Sequence, residues 1–202
     1  MISYKSFLDS VLNQIQNTQP NYLSEIKNTK WNKFKWKGLT LMKDPMTLTI
    51  YQQLIQDIKP KTIIEFGTYE GGSALWMKDV CKSLSLDTKV ITIDIKNISP
   101  IKEIDFINLN VHEIGNFEFD KYESPIIVIE DCHENLKGIF NKVNNFLKKG
   151  DYFIVEDTFD IIKFNEMLKL DLSKYKINRK YCDFWGRNNT WNHDSFFEKI
   201  KD

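Results

Sequence analysis

The stretch IIEFGTYEGGS, residues 63–73, joins an apolar run to a glycine-containing loop. The run at residues 62–66 is typical of a buried β-strand, and the residues after the loop carry apolar side chains at helical spacing. Gly67 permits a tight turn where the strand ends, and Gly71 and Gly72 leave room for a ligand to approach the backbone. A strand, a loop and a helix in this order predict a ligand site at the carboxyl edge of an open α/β sheet.

Short apolar runs alternate with helical patterns along most of the chain. Further strands are predicted at residues 90–94, 106–109, 126–130 and 152–156. Helical patterns lie between the first and second strands and between the fourth and fifth, while Asp44 and Pro60 are typical of the start and end of an earlier helix. Continuous apolar strands that alternate with helices indicate a mostly parallel, Rossmann-like α/β sheet covered by helices on both faces.

The whole chain, residues 1–202, is interpreted as one domain, because its sequence contains no repeat, linker or low-complexity block. Residues 1–43 are expected to form an N-terminal helix followed by an irregular, lid-like segment, and residues 44–202 to form the α/β core. One more helix is predicted at residues 158–169, and the tail from Lys174 onward is expected to add an antiparallel hairpin at the sheet edge.

The composition argues against several classes of protein. Lys and Arg together number 28, as do Asp and Glu, so the formal net charge is zero and no nucleic-acid partner is expected. The three cysteines are widely separated, which disfavours a disulfide framework or a Cys-rich zinc site. The sequence shows neither a signal peptide nor a run of about 18 apolar residues, so we expect a cytoplasmic protein without a membrane span. Whether it forms a homo-oligomer stays open.

The loop differs from two common nucleotide-binding motifs. A dinucleotide fingerprint needs glycine at the position of Tyr69, and a phosphate-binding P-loop needs a Gly-Lys-Ser or Gly-Lys-Thr sequence that does not follow here. The pattern E-x-G-x-x-x-G-G instead suits the amino-acid end of S-adenosylmethionine, and Asp94, where the next strand ends, is placed to bind two ribose hydroxyls. The predicted donor-binding residues are Glu65, Gly67, Thr68, Gly71, Gly72, Ser73 and Asp94.

Carboxylates cluster where the fourth and fifth predicted strands end, namely Glu130, Asp131, Glu156 and Asp157. Both ends emerge on the edge that carries the glycine loop, and such crowding is unfavourable unless protons or a cation compensate. Oxygen ligands favour a hard ion such as Mg²⁺, with Ca²⁺ or Mn²⁺ as alternatives. His133, beside this cluster, is a candidate base for a hydroxyl that the metal holds, and a structural role is equally consistent with its position.

These motifs resemble the cephalosporin hydroxylase family of class I methyltransferases, which is related to sugar O-methyltransferases. The anchors of the resemblance are WKG at residues 36–38, KDP at 43–45, the loop at 64–73, the Ile-Asp pair at 93–94, residues 129–133 and GDYFIVEDT at 150–158. The resemblance implies Mg²⁺-assisted methyl transfer from S-adenosylmethionine to a hydroxyl, with His133 as the catalytic base and Asp131 as a second catalytic residue. The implied metal ligands are Glu156, Asp157 and either Glu130 or Asp131, of which Asp131 is favoured.

The acceptor is expected to be a small molecule or glycan, with a sugar hydroxyl as the leading choice. Its candidate walls are the basic, aromatic residues 30–37 and the Trp-, Asn- and Arg-containing tail at residues 181–192, although these aromatics are equally consistent with closing the core. Two alternatives stay open: an O-methyltransferase for another small molecule, such as a phenol or catechol, and a non-catalytic module that binds S-adenosylmethionine or metal.

Overall fold

The computed structural model describes residues 34–96 and 101–202. The chain divides into the units Met1–Phe34 and Lys35–Asp202, and the sheet and helices described here belong to the second unit. The predicted N-terminal helix and most of the predicted lid-like segment lie outside the described residues. None of the helices that the structure describes has the length and apolar character needed to cross a bilayer.

Nine strands are present in the described part of the chain. They are β1 (Lys35–Trp36), β2 (Leu39–Thr40), β3 (Thr62–Phe66), β4 (Lys89–Asp94), β5 (Asp105–Asn108), β6 (Ile126–Glu130), β7 (Tyr152–Val155), β8 (Tyr175–Ile177) and β9 (Phe196–Lys199). Strands β1 and β2 form a separate hairpin, and the other seven form one sheet in the order β5-β4-β3-β6-β7-β9-β8. All neighbouring pairs are parallel except those that include β9, which runs antiparallel to β7 and β8.

Helices cover both faces of this sheet. They are α1 (Pro45–Ile58), α2 (Gly72–Ser83), α3 (Leu136–Asn144), α4 (Ile161–Met167) and α5 (Arg179–Cys182), with a 3₁₀ helix at Val111–Asn116. Buried side chains of α1 and α2 pack on one face, and those of α3 and α4 pack on the other. Because successive residues of a strand point to opposite faces, each central strand contributes to both cores.

The predicted fold class is confirmed by this architecture. The expected parallel strands are all present with bounds shifted by at most one residue, and the predicted edge hairpin corresponds to β8 and β9. Helix α1 begins as expected, since Asp44 accepts hydrogen bonds from the backbone N–H groups of Met46 and Thr47 at 2.9 Å. The predicted helix at residues 158–169 is shorter than expected, since it begins at Ile161, after its N-cap Asp160, and ends at Met167.

Residues 34–43 were expected to be irregular, and this expectation was wrong for residues 35–40. Lys37 and Gly38 have φ angles of 47° and 89°, which suit the tight turn between two antiparallel strands with right-handed twist. Each strand is only two residues long, which is too short to produce an alternating pattern in the sequence. The hairpin carries the chain towards the carboxyl edge of the main sheet.

The strand register sets four chain segments at the same level. Phe66 of β3 lies beside Ile93 of β4 and Glu130 of β6, and Glu130 lies beside Val155 of β7. The residues that follow these strands therefore emerge together at the carboxyl edge. In an open parallel sheet ligands bind outside the carboxyl ends of the strands, in the crevice where the strand order reverses, which here lies between β3 and β6.

Candidate active site

The loop between β3 and α2 is held by the carboxylate of Asp94. Asp94 Oδ2 accepts hydrogen bonds from the backbone N–H groups of Thr68 at 2.8 Å and Tyr69 at 3.2 Å, and Oδ1 accepts one from Lys96 at 2.9 Å. A carboxylate offers about four acceptor positions, so this one can still accept hydrogen bonds from a ligand hydroxyl. The structure thus places Asp94 beside the loop, as the sequence predicted.

Two glycines of the loop meet neighbouring backbone. A β-carbon on Gly67 would lie 2.5 Å from the carbonyl oxygen of Asp131, and its φ of +100° also favours glycine. A β-carbon on Gly72 would lie 2.7 Å from the carbonyl carbon of Thr40 in strand β2. The missing side chains at these two positions therefore let other segments approach. The sequence had suggested a tight turn as the reason for Gly67 and the approach of a ligand as the reason for Gly72.

Glu65 lies fully buried on β3 beneath the loop. Its Oε1 accepts a hydrogen bond from the hydroxyl of Ser73 at 2.6 Å, and its Oε2 lies 3.3 Å from the hydroxyl of Thr92. Thr68 shares a 2.7 Å hydrogen bond with the same Thr92 hydroxyl. The predicted donor-binding residues Glu65, Thr68 and Ser73 are thus joined in one polar network, and Gly71 precedes helix α2 as its N-cap.

A second group of side chains lies where β6 and β7 end. His133 Nε2 lies 3.3 Å from Asp157 Oδ2 and 3.6 Å from Asp131 Oδ1. One ligand atom from each of these three residues falls within 4.8 Å of the others, which is close enough for all three to bind one metal ion. The contact with Asp157 raises the pKa of His133 above its ordinary value, although partial burial opposes this shift.

Lys43 fills the space between this group and the buried carboxylates. Its ammonium lies 2.8 Å from Asp131 Oδ2, 2.8 Å from Glu156 Oε2 and 3.4 Å from Glu65 Oε1, and its side chain is 1% exposed. The other oxygen of Glu156, Oε1, accepts a hydrogen bond from the hydroxyl of Tyr51 on α1. Both oxygens of Glu156 therefore have donors within the protein.

Lys43 and Tyr51 stay protonated beside the carboxylates of this cluster. Burial alone would lower the pKa of Lys43, but the negative charges of Asp131, Glu156 and Glu65 raise it well above its ordinary value. Burial and the charge of Glu156 raise the pKa of Tyr51. Burial also raises the pKa values of Glu65 and Glu156. Lys43 is therefore a protonated cation placed among carboxylates that are costly to leave uncompensated.

Glu130, the remaining residue of the expected acidic cluster, is not brought to this group. Strand alternation turns it to the face of Val128, where its Oε2 lies 2.6 Å from Lys163 Nζ on α4. Its Oε1 accepts a hydrogen bond from the backbone N–H of His133 at 3.1 Å. Glu130 thus supports the turn that carries His133, while Asp131 faces Lys43 and the imidazole.

The tail contacts the site through Asn192. The Oδ1 atom of this buried residue accepts a hydrogen bond from the backbone N–H of Asp157 at 3.0 Å, which fixes the turn where Asp157 has a φ of 57°. Nearby, the rings of Phe159 and Trp191 lie 5.3 Å apart. Trp36, in the other predicted wall, instead donates a 2.7 Å hydrogen bond to Asp79 on α2. The structure therefore brings the tail, rather than Trp36, to the acidic edge.

Sequence reasoning missed Lys43 and Tyr51 as members of the site. Lys43 was noticed only within the KDP anchor, and nothing in its local pattern indicates that it is buried. Tyr51 carried a usable signal, because a tyrosine on the apolar face of a helix needs a partner for its hydroxyl. That partner, Glu156, lies 105 residues away in the chain.

Comparison with known proteins points to one family. The sequence profile of the family described as rhamnosyl O-methyltransferase/CmcI matches residues 28–171, which is more than half of the chain. The rhamnosyl O-methyltransferase of Mycobacterium leprae is 27% identical over 145 residues, which cover 65% of this chain and 63% of the relative. That of Mycobacterium tuberculosis is 25% identical over 146 residues, which cover 65% and 59%. The chain thus spans less than two thirds of the length of these curated relatives.

Solved structures of CmcI have the same fold. An apo-structure of CmcI superimposes with a TM-score of 0.73 at 25% identity, covering 86% of this chain and 79% of CmcI. A structure of CmcI with Mg and SAM gives a TM-score of 0.70 at 25% identity, covering 85% and 78%. These likenesses confirm the resemblance that the motifs suggested, including the Rossmann-like methyltransferase architecture.

Proposed function

Because the chain belongs to the rhamnosyl O-methyltransferase/CmcI family, we propose that it transfers the methyl group of S-adenosylmethionine to a hydroxyl of a sugar or glycan, with the help of Mg²⁺. The observation that carries this proposal is the meeting of two groups at one sheet edge. The loop held by Asp94 suits the methyl donor, and the cluster of Asp131, His133 and Asp157 suits a cation and a base.

The names of two similar proteins support the choice of acceptor, methyl donor and cation. The curated relatives are named rhamnosyl O-methyltransferases, which favours a sugar as the acceptor. The CmcI structure with Mg and SAM favours both the donor and the cation. We propose the same ligands for this chain because its own residues fit them.

The donor set of the acidic edge fits a hard divalent ion. Asp131 Oδ1 and Asp157 Oδ2 face the same imidazole nitrogen, and carboxylate oxygens are preferred ligands of Mg²⁺. We assign the ligand at the end of β6 to Asp131, because Glu130 is paired with Lys163 on the opposite face. Asp157 and Glu156 supply the oxygens at the end of β7.

When bound, Mg²⁺ would acidify the acceptor hydroxyl and S-adenosylmethionine would supply the methyl group. His133 Nε2 is placed to accept the proton of that hydroxyl, because its imidazole is half-exposed while Asp131 and Asp157 stabilise the imidazolium that results. Glu130 orients this base by holding its backbone N–H. Asp94 positions the loop between β3 and α2 that would bind the methyl donor, called the donor loop. The tail held by Asn192 lies where an acceptor approaches Asp157.

The test is a methyl-transfer assay with radiolabelled S-adenosylmethionine and a panel of rhamnosides, other glycosides and catechols, with and without Mg²⁺. We expect label in a sugar product only with the divalent ion, and a loss of about 100-fold or more in His133→Ala, as for removal of a general base. Transfer to catechols alone would contradict the sugar acceptor. Binding of S-adenosylmethionine without transfer to any acceptor would indicate a non-catalytic module.

The setting of the protein belongs to the proposal as well. The three cysteines are free, which fits a reducing compartment such as the cytoplasm. Two statements stay predictions from the sequence: the acceptor is a small molecule or glycan, and the protein has no nucleic-acid partner. Whether it forms a homo-oligomer stays open.

A further inference from the structure

We propose that the ammonium of Lys43 and the divalent cation compete for the same carboxylate oxygens, so that Lys43 sets the affinity of the cation site. This inference rests on the proposed function, because it concerns the cation of that same centre. Lys43 would thus tune how tightly the cation binds, a role distinct from those of the base and of the donor loop.

The competition follows from which oxygens are already bonded. Lys43 Nζ takes Asp131 Oδ2 and Glu156 Oε2, each at 2.8 Å, and the hydroxyl of Tyr51 takes Glu156 Oε1. A divalent ion that uses Glu156 as a ligand must therefore displace one of these two donors. Asp131 Oδ1, in contrast, faces His133 and needs no such exchange.

Lys43 is the donor that can leave. The ring of Tyr51 is fully buried on α1 and packs edge-on against Phe196 with centroids 5.9 Å apart, so its hydroxyl is fixed. A lysine ammonium, by contrast, sits on four flexible methylene groups and can rotate its three donors. Glu65 Oε1 lies 3.4 Å from Lys43 Nζ and provides a second partner once Glu156 is released.

The charge balance gives the direction of the effect. Glu65, Asp131 and Glu156 surround a single ammonium, and the side chains of Glu65 and Glu156 are almost fully buried. Replacing Lys43 by a neutral residue leaves these carboxylates with one positive charge fewer. A divalent ion then meets no competing donor on Glu156 Oε2, while Tyr51 still holds Oε1. The site is also more negative, so the ion binds more tightly.

The experiment compares the Mn²⁺ affinity of wild type and Lys43→Met, measured by calorimetry on protein stripped with EDTA. Lys163→Met is the matched control, because Lys163 is also a buried lysine paired with a carboxylate but faces the other side of the sheet. We expect roughly tenfold or greater tightening in Lys43→Met, from the lost repulsion and the freed oxygen, and no comparable change in Lys163→Met. Mn²⁺ should also raise the melting temperature of Lys43→Met more than that of wild type.

Equal or weaker Mn²⁺ binding by folded Lys43→Met, while wild type binds the ion, would overturn this inference and leave the proposed function intact. Mn²⁺ binding by none of the three proteins would overturn the cation in the proposed function and this inference with it. If Lys43→Met does not fold, Lys43→Gln is measured in its place. Its amide can still donate to Glu156 without charge, so a smaller tightening in the same direction is expected, and no tightening contradicts the inference.

Discussion

Replacing Gly72 by alanine tests whether the β1–β2 hairpin is locked against the donor loop. A β-carbon at this position would lie 2.7 Å from the carbonyl carbon of Thr40 and 3.1 Å from the backbone nitrogen of Leu41. Ordinary carbon contacts are about 3.5–4.0 Å, so the backbone of the hairpin has to move by about 1 Å. Thr40 resists this shift because its N–H donates a 2.8 Å hydrogen bond to Glu70 in the donor loop.

Two effects of opposite sign decide the magnitude. Alanine is favoured over glycine in a helix by up to about 1 kcal/mol, whereas overpacking costs about 1–3 kcal/mol. Because the atoms in the way belong to the backbone and cannot rotate aside, the overpacking cost lies in the upper part of its range, at about 2–3 kcal/mol. We therefore expect Gly72→Ala to lower the free energy of unfolding by about 1–2 kcal/mol. For a chain of this length, that change lowers the melting temperature by roughly 2–8 °C.

The assay is thermal and urea unfolding of wild type, Gly72→Ala and the control Gly115→Ala. A β-carbon on Gly115 meets no heavy atom within 4 Å, so this variant should be neutral or more stable by about 0.4–1 kcal/mol. A Gly72→Ala protein as stable as wild type, or more stable, would refute the reasoning, because helix propensity would then have outweighed the contact.

Two further predictions concern ion pairs of the structure. Burial alone would raise the pKa of Asp79, but hydrogen bonds from Lys37 and Trp36 lower it below its ordinary value of 3.8. The charged carboxylate therefore stabilises the fold above pH 3.8, and this contribution is lost as the pH falls through the lower pKa of the folded state. Urea unfolding of wild type and Asp79→Asn should show that the difference between their free energies of unfolding shrinks as the pH falls through this acidic range. Lys163→Met should lower the free energy of unfolding by about 3–5 kcal/mol, because it leaves Glu130 buried without its partner, and adding Glu130→Gln should restore much of the loss.

Each of these two predictions has an outcome that contradicts it. A stability difference between wild type and Asp79→Asn that persists unchanged below the folded-state pKa would mean that the carboxylate charge does not hold the hairpin. A double variant of Glu130 and Lys163 that is as unstable as the sum of the two single variants would mean that the pair is not coupled.

The sequence was sufficient to predict the parts of the fold that depend on local pattern. Apolar runs separated by helical spacing located β3, β4, β6 and β7 to within one residue, and parallel pairing then placed Asp94, Asp131 and Asp157 at one edge. Because the strands end at the same level, the acidic edge needed no long-range information beyond the order of the strands. Asp44 and Pro45 likewise gave the start of α1, since capping depends on neighbouring backbone groups alone.

The parts that failed depend on contacts between distant segments. Alternation indicates that Glu130 and Val128 share a face, but both faces of a covered sheet are apolar, so the sequence does not tell which face holds the site. Lys43 is buried only because the hairpin and α1 bring it to residues 88 and 113 positions away. A two-residue strand leaves no periodic trace, and a lysine before a helix cap is ordinarily exposed.

Calorimetric titration of the wild type and of Asp94→Ala with S-adenosylmethionine measures whether this chain binds the methyl donor at the loop held by Asp94. We expect clear binding to wild type and roughly tenfold or greater weakening in Asp94→Ala, because the variant loses both the acceptor for a ribose hydroxyl and the anchor of the loop at Thr68 and Tyr69. No binding to folded wild type, with or without Mg²⁺, would mean that this loop is not a site for S-adenosylmethionine.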